Sequence, residues 1–153
     1  MPEPSTAGDL CTRETVIATR SMGIAEAARL MREQHVGCLV VVDNMAVGSV
    51  PVGMLTDRDI VTQIFAKGVD PRSLRVEDVM SPEPAVADES ETVLDVLAGM
   101  RRKGVRRLPV VDARGVLQGI LTLDDVLEAV AEELDAVVQA MRSGRAREVS
   151  RRP

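Results

Sequence analysis

Two Thr–Asp pairs are the residues best placed to do chemistry. Thr56 and Asp59 lie in GMLTDRDIV (residues 53–61), and Thr122 and Asp125 lie in GILTLDDVL (residues 119–127). Each phrase runs Gly, two apolar residues, Thr, then an Asp three places on. A strand ending at the Thr and a helix starting just after it would present free backbone N–H groups and a positive helix end, which together attract phosphate. The Thr hydroxyl can bond a phosphate or sugar oxygen there, and a carboxylate one turn on can accept from the vicinal hydroxyls of a ribose. Gly53 and Gly119 let backbone come close to a ligand or a neighbouring strand. The same spacing also makes a capping box, in which the Thr caps the helix and the acid suits its positive end. One Thr can do both, and the spacing leaves both roles open.

The elements that must position these pairs are written twice. Residues 24–43 align with residues 93–112 at a shift of 69, and past Asp43 and Asp112 the shift is 66, because NMAVGSVPV carries three extra residues. In each copy a short apolar piece (Val16, Ile17; Ala85, Val86) reads as a strand. Ser21 or Ser90 is then expected to cap a helix over roughly 22–34 or 91–103. Apolar residues recur there at helical spacing: Ile24, Ala27, Ala28, Met31 and Val93, Val96, Leu97, Met100. Gly104 suits a left-handed helix end, and His35 holds the matching place. An apolar strand (Leu39–Val42; Leu108–Val111), a second strand and a second helix complete a β-α-β-β-α unit. The fold class is therefore α/β, with two units packed about a pseudo-two-fold axis so that each covers the other's apolar face. The expected divisions are a flexible N-terminus over 1–9, repeats over 10–69 and 80–141, a linker over 70–79, and a disordered Arg-rich tail over 142–153.

Composition narrows the function. The chain of 153 residues can bury a core without staples. Phe65 is its one aromatic residue, so bases find no stacking platform, and a net charge of −5 argues against general binding to nucleic acid. The tail from Arg142 carries +4 and the rest −9. Cys11 and Cys38 are not spaced as a metal pair, and Cys38 reads as a buried free thiol. His35 is the lone histidine, so no Ser-His-Asp set can assemble, and there is no GxGxxG or GxxxxGK loop. These absences predict no catalytic residues, no metal and no enzyme. Without an apolar run of membrane length or an export signal at MPEPSTAGDL, a cytoplasmic protein is expected.

Across residues 10–135 the chain resembles the CBS domain, named for cystathionine β-synthase, and the pair resembles a Bateman module. The resemblance rests on VEDVMSPEPAVA, GVRRLPVVD and the two Thr–Asp phrases, in order and doubled. It implies that clefts between the repeats bind AMP, ADP, ATP or S-adenosylmethionine as a regulatory ligand. By that similarity Asp59 and Asp125 would hold the ribose, and Thr56 and Thr122 would contact ribose or phosphate. The base would lie against Val16, Ile17, Ala85 and Val86, with Met54 and Ile120 alongside. It further implies a stand-alone sensor acting on a partner protein, and a homodimer in which two modules form a four-repeat disc.

The copies differ where a phosphate tail would sit. Arg106 and Arg107 match Gly37 and Cys38, and Arg58 stands beside Asp59. Arg58 and Arg107 are thus candidate phosphate ligands, although the cluster from Arg101 to Arg107 also complements a helix C-terminus. Leu127, Val130, Leu134, Val137 and Met141 predict a long amphipathic last helix, whose stripe packs on its own module or on a partner helix in a dimer.

Overall fold

A computed structural model describes residues 5–152. Helix α1 (Ala7–Leu10) precedes strand β1 (Ile17–Thr19), helix α2 (Ile24–Gln34), strands β2 (Cys38–Met45) and β3 (Gly48–Thr56), and helix α3 (Asp57–Ile60), whose last turn widens over Val61–Phe65. A 3-10 turn (Pro71–Ser73) leads to α4 (Val76–Val79) and β4 (Ser81–Pro82). The second copy follows as β5 (Ala87–Asp88), α5 (Val93–Lys103), β6 (Arg107–Val111), β7 (Leu117–Thr122) and α6 (Leu123–Arg151). Among the described residues no helix is long and apolar enough to cross a membrane.

The two copies build matching sheets, ordered β1-β2-β3-β4 and β5-β6-β7. β1 runs parallel to β2 with Ala18 beside Val41, and β5 runs parallel to β6 with Ala87 beside Val110, the same pairing 69 residues on. Each antiparallel pair also shifts register at the equivalent place, between Val41 and Val42 and between Val110 and Val111. One core gathers Ile24, Ala27, Met31, Leu39 and Leu55, and the other Val93, Val96, Met100, Leu108 and Leu121. Periodicity thus marks the buried helix faces correctly, except that Leu97 stays exposed.

The copies are interlocked by an exchange of their leading segments. α1 belongs to the second core: Ala7 is fully buried there, and the Ala7 and Gly8 amides donate to the Glu91 and Glu89 carbonyls at 2.8 and 2.9 Å. α4 belongs to the first core: Val76 is fully buried, and the Val76 and Glu77 amides donate to the Met22 and Arg20 carbonyls at 2.8 and 3.1 Å. Of residues 70–79, expected as a linker, 70–73 are exposed while Val76 and Val79 of α4 pack on the first copy. Residues 6–9, expected to be flexible, form a capped turn on the second, and residues 1–4 lie outside the described residues.

The exchange also moves a helix cap. Ser21 does not cap α2; Gly23 holds that position without a side-chain bond, because the Leu74 carbonyl takes the Ile24 amide at 3.1 Å. Ser90 bonds Asp88, and Thr92 caps α5 by accepting the Asp95 amide at 3.3 Å. The short apolar pieces pair as β1 and β5, which begin one residue after Val16 and one residue after Val86. Both left-handed helix ends are present, His35 at φ 54° and Gly104 at φ 64°. The tail is corrected as well: α6 continues through it to Arg151, where disorder was expected.

Candidate functional site

The two Thr–Asp pairs have one geometry. Thr56 ends β3, its hydroxyl accepts the Asp59 amide at 3.1 Å, and Asp59 Oδ2 accepts the Thr56 amide at 2.9 Å. Thr122 ends β7 and is bonded in the same way to Asp125, at 3.2 and 3.0 Å. Both capping boxes are therefore complete. All four residues are half-buried, and among the described residues neither Asp Oδ1 meets a protein donor. Each carboxylate keeps one oxygen for a ligand.

The second half of the site comes from the opposite copy. Pairing of β4 with Gly53 and Met54 lays Ser81 and Pro82 along β3, and the chain then leads through Pro84 to Ala85. A cleft of about 640 Å³ opens there, lined by Met54, Thr56 and Arg58 from one copy and by Ala85, Arg106 and Arg107 from the other, with Lys103 at its edge. That volume lies in the range of small-molecule sites. Its floor is aliphatic and its cations cluster. Among the described residues the ion pairs are Arg20–Asp43, Arg72–Asp70 and Arg114–Asp112, so Arg58, Lys103, Arg106 and Arg107 are all unpaired and exposed. Four free cations around one opening suit a phosphate-bearing ligand.

Thr122 lines a separate hollow of about 230 Å³ with Arg106, Arg107, Leu123 and Asp124. Of the sequence candidates, Met54, Thr56, Arg58, Ala85 and Arg107 meet in the larger cleft. Asp59, Asp125, Val16, Ile17, Val86 and Ile120 line neither opening. Around Ile120 the space is already taken, since its amide and carbonyl both bond Thr12, at 3.0 and 2.9 Å.

The cleft is also lined by Cys38, Lys103 and the acidic Glu83, which the sequence did not single out for binding, and by Arg106, which it raised together with Arg107. Cys38 sits in the cleft wall, and burial pushes its thiol up to about 11, with Asp59 and Asp57 adding to the rise and Arg107 opposing it. Lys103 and Arg106 complete the cationic edge. The register of the repeats gave the signal for Arg106, which aligns with Gly37, but not which cleft it would face. Among the described residues no three His, Cys, Asp or Glu side chains gather as a metal site.

Interlocked β-α-β-β-α repeats with matched Thr–Asp strand ends define a tandem-repeat module. The chain belongs to the CBS domain family, whose model matches residues 7–66 and 76–132. Such CBS pairs are regulatory modules. The chain is similar to the CBS domain-containing protein YhcV of Bacillus subtilis, 34% identical over 80% of this chain and 83% of YhcV. It is also similar to MK0525 of Methanopyrus kandleri, 32% identical over 79% of this chain, and spans only 60% of that relative. The solved structure of CBSX2 in complex with AMP superposes with a TM-score of 0.71 at 30% identity, covering 84% of this chain and 97% of that one.

Proposed function

We propose that this protein is a sensor in which an adenosine-containing ligand, AMP, ADP, ATP or S-adenosylmethionine, occupies the 640 Å³ cleft beside Thr56. The observation that carries the reading is the meeting of Thr56, an aliphatic floor at Met54 and Ala85, and the unpaired Arg58, Arg106 and Arg107 in one opening. The base lies on the floor, where no aromatic ring is needed. Asp59 lies behind Thr56, outside the lining of the cleft, so the ribose hydroxyls must extend past Thr56 to reach its free oxygen, while the phosphates meet the Thr56 hydroxyl and the arginines. The AMP complex of the related CBSX2 supports this choice of ligand class. The role is regulatory rather than catalytic, and ligand shifts the module between two states only by its difference in affinity for them. A partner protein reads that shift. Two modules pair through apolar faces left open on the helices, where Phe65 is 85% exposed and Leu94 68%.

The completeness of both capping boxes favours a second reading, a ligand-free interaction module in which Thr and Asp only hold helix ends. Thermal melting against each of the four ligands at millimolar concentration separates the two. A ligand at 100 times its Kd adds about 2.7 kcal/mol and raises the midpoint. Asp59→Asn keeps an oxygen for the Thr56 amide while losing the carboxylate's charge. Under the sensor reading it abolishes the ligand-induced rise with little change in the unliganded midpoint. No rise with any ligand in the unaltered protein contradicts the sensor.

A further inference from the structure

The last helix leaves the module with most of its apolar stripe uncovered. Val126 and Ala129 are the last buried residues of α6, and from Ala131 onward every side chain is exposed except the half-buried Val138. Of the stripe, Val130 packs against the second core, whereas Leu127, Leu134, Val137 and Met141 stay uncovered; Leu134 is 63% exposed and Met141 58%. From Ala131 to Arg151 the helix would project about 31 Å at 1.5 Å per residue. Helical stability in proteins comes mostly from packing of an apolar face, and Ser143 and Gly144 weaken this stretch further. A free-standing helix of this composition would fray.

Its charges are divided by length. Glu128, Glu132, Glu133 and Asp135 occupy the first half, and Arg142, Arg145, Arg147 and Arg151 the second. No basic residue stands within four places of any of these acids, so i,i+4 pairing within the helix cannot neutralise them. A second copy lying parallel would set acid on acid and Arg on Arg. A second copy lying antiparallel sets acid on Arg at both ends.

We infer that α6 pairs antiparallel with α6 of a second copy, Leu134, Val137 and Met141 forming the centre of the seam and its acidic half facing the other copy's arginines. Spacing of three and four residues is that of a coiled-coil seam. Setting Val137 against Met141 of the second copy puts Leu134 over Gly144, where the missing side chain admits it, and brings Glu133 level with Arg145 and about 3 Å along the axis from Arg147. The pairing does not rest on the nucleotide reading, and it uses a surface apart from the helix faces of the two repeats.

Crosslinking tests it in the full chain. In a Cys11→Ser, Cys38→Ser background, one chain carries Glu133→Cys and another Arg147→Cys. They are treated with a short bis-maleimide, singly and mixed. Antiparallel pairing crosslinks the mixture at 133–147 and leaves each single chain monomeric on a gel, because two copies of position 133 lie about 18 Å apart along the pair. Adding Leu134→Asp and Val137→Asp, both at exposed positions, should lower the crosslinked yield at least tenfold. Crosslinks in the Glu133→Cys chain alone would show parallel pairing and overturn the inference. An uncrosslinked mixture, or a yield that ignores the two Asp substitutions, would overturn it too and leave the face to a different protein.

Discussion

The Thr56 and Thr122 surroundings start from one folded phrase and end as different sites. Bond for bond the two capping boxes match, and both openings share Arg106 and Arg107. Around Thr56 the opening also takes in Arg58, Lys103 and the aliphatic Ala85; around Thr122 the counterpart of Arg58 is Asp124. Where the second copy has Lys103, the first has Gln34, and Arg13, which precedes the first strand, is held by the Gly8 carbonyl at 3.0 Å. Duplication has kept the backbone geometry and let the charge diverge. The shared part builds the fold, and the divergent part sets which cleft attracts an anion.

Charge exchange should break this comparison most visibly. Arg58→Glu is expected to lower ATP affinity about 10–100-fold in calorimetry, the scale of a lost charge-assisted bond plus repulsion, while Asp124→Arg should create measurable binding beside Thr122. If Arg58→Glu leaves affinity as it was, the larger cleft is not the phosphate site.

The two phrase glycines should differ next. A Cβ on Gly119 would lie 2.5 Å from the Thr12 carbonyl oxygen, which is backbone, whereas one on Gly53 would meet the Met80 sulfur at 2.6 Å and the Ser81 carbonyl at 3.0 Å. The Met80 side chain can turn away, and Thr12 cannot. Gly119→Ala should therefore cost about 1–3 kcal/mol and Gly53→Ala less, read as denaturation midpoints at equal slope.

A smaller contrast follows from Cys38, the first-copy counterpart of Arg107. Its thiol is held protonated by burial, so the folded state binds that proton more tightly than the unfolded state does. Stability contributed there is present below the ordinary thiol range and lost as pH climbs toward about 11. The urea midpoint should drop more between pH 8 and 10.5 in the unaltered protein than in Cys38→Ser. The smallest effect concerns the helix ends: His35→Gly should stabilise by up to about 1 kcal/mol, and Gly104→Ala should cost a similar amount, since both positions are left-handed.

Much of this frame was legible in the chain. The repeat, the apolar strands, both Thr–Asp boxes and the left-handed position of His35 follow from local pattern, because each rests on residues within a few places of one another. The exchanged segments were not legible. α1 and α4 are four residues long, too short for periodicity, and their fit depends on contacts far along the chain, Ala7 with Glu91 in one case and Val76 with Met22 of the preceding copy in the other. The same long-range contact displaced the cap from Ser21, since Leu74 satisfies the helix amide. The tail misled for another reason: Ser143, Gly144 and many charges suggest disorder, yet the helix begun at Leu123 continues through them to Arg151. For the site, the sequence named Thr56, Arg58 and Arg107 but could not say that they share one opening, because only the folded interlock brings them together.

The central claim is that the Thr56 cleft takes the nucleotide before the Thr122 hollow does. A residue-resolved NMR titration with ATP compares them in one sample. The account predicts that the Thr56, Arg58 and Ala85 amides shift at the lowest ATP concentrations, with Thr122, Asp124 and Val16 moving later or not at all. Earlier shifts at Thr122 and Asp124, or no shift at Thr56 up to millimolar ATP, would contradict it.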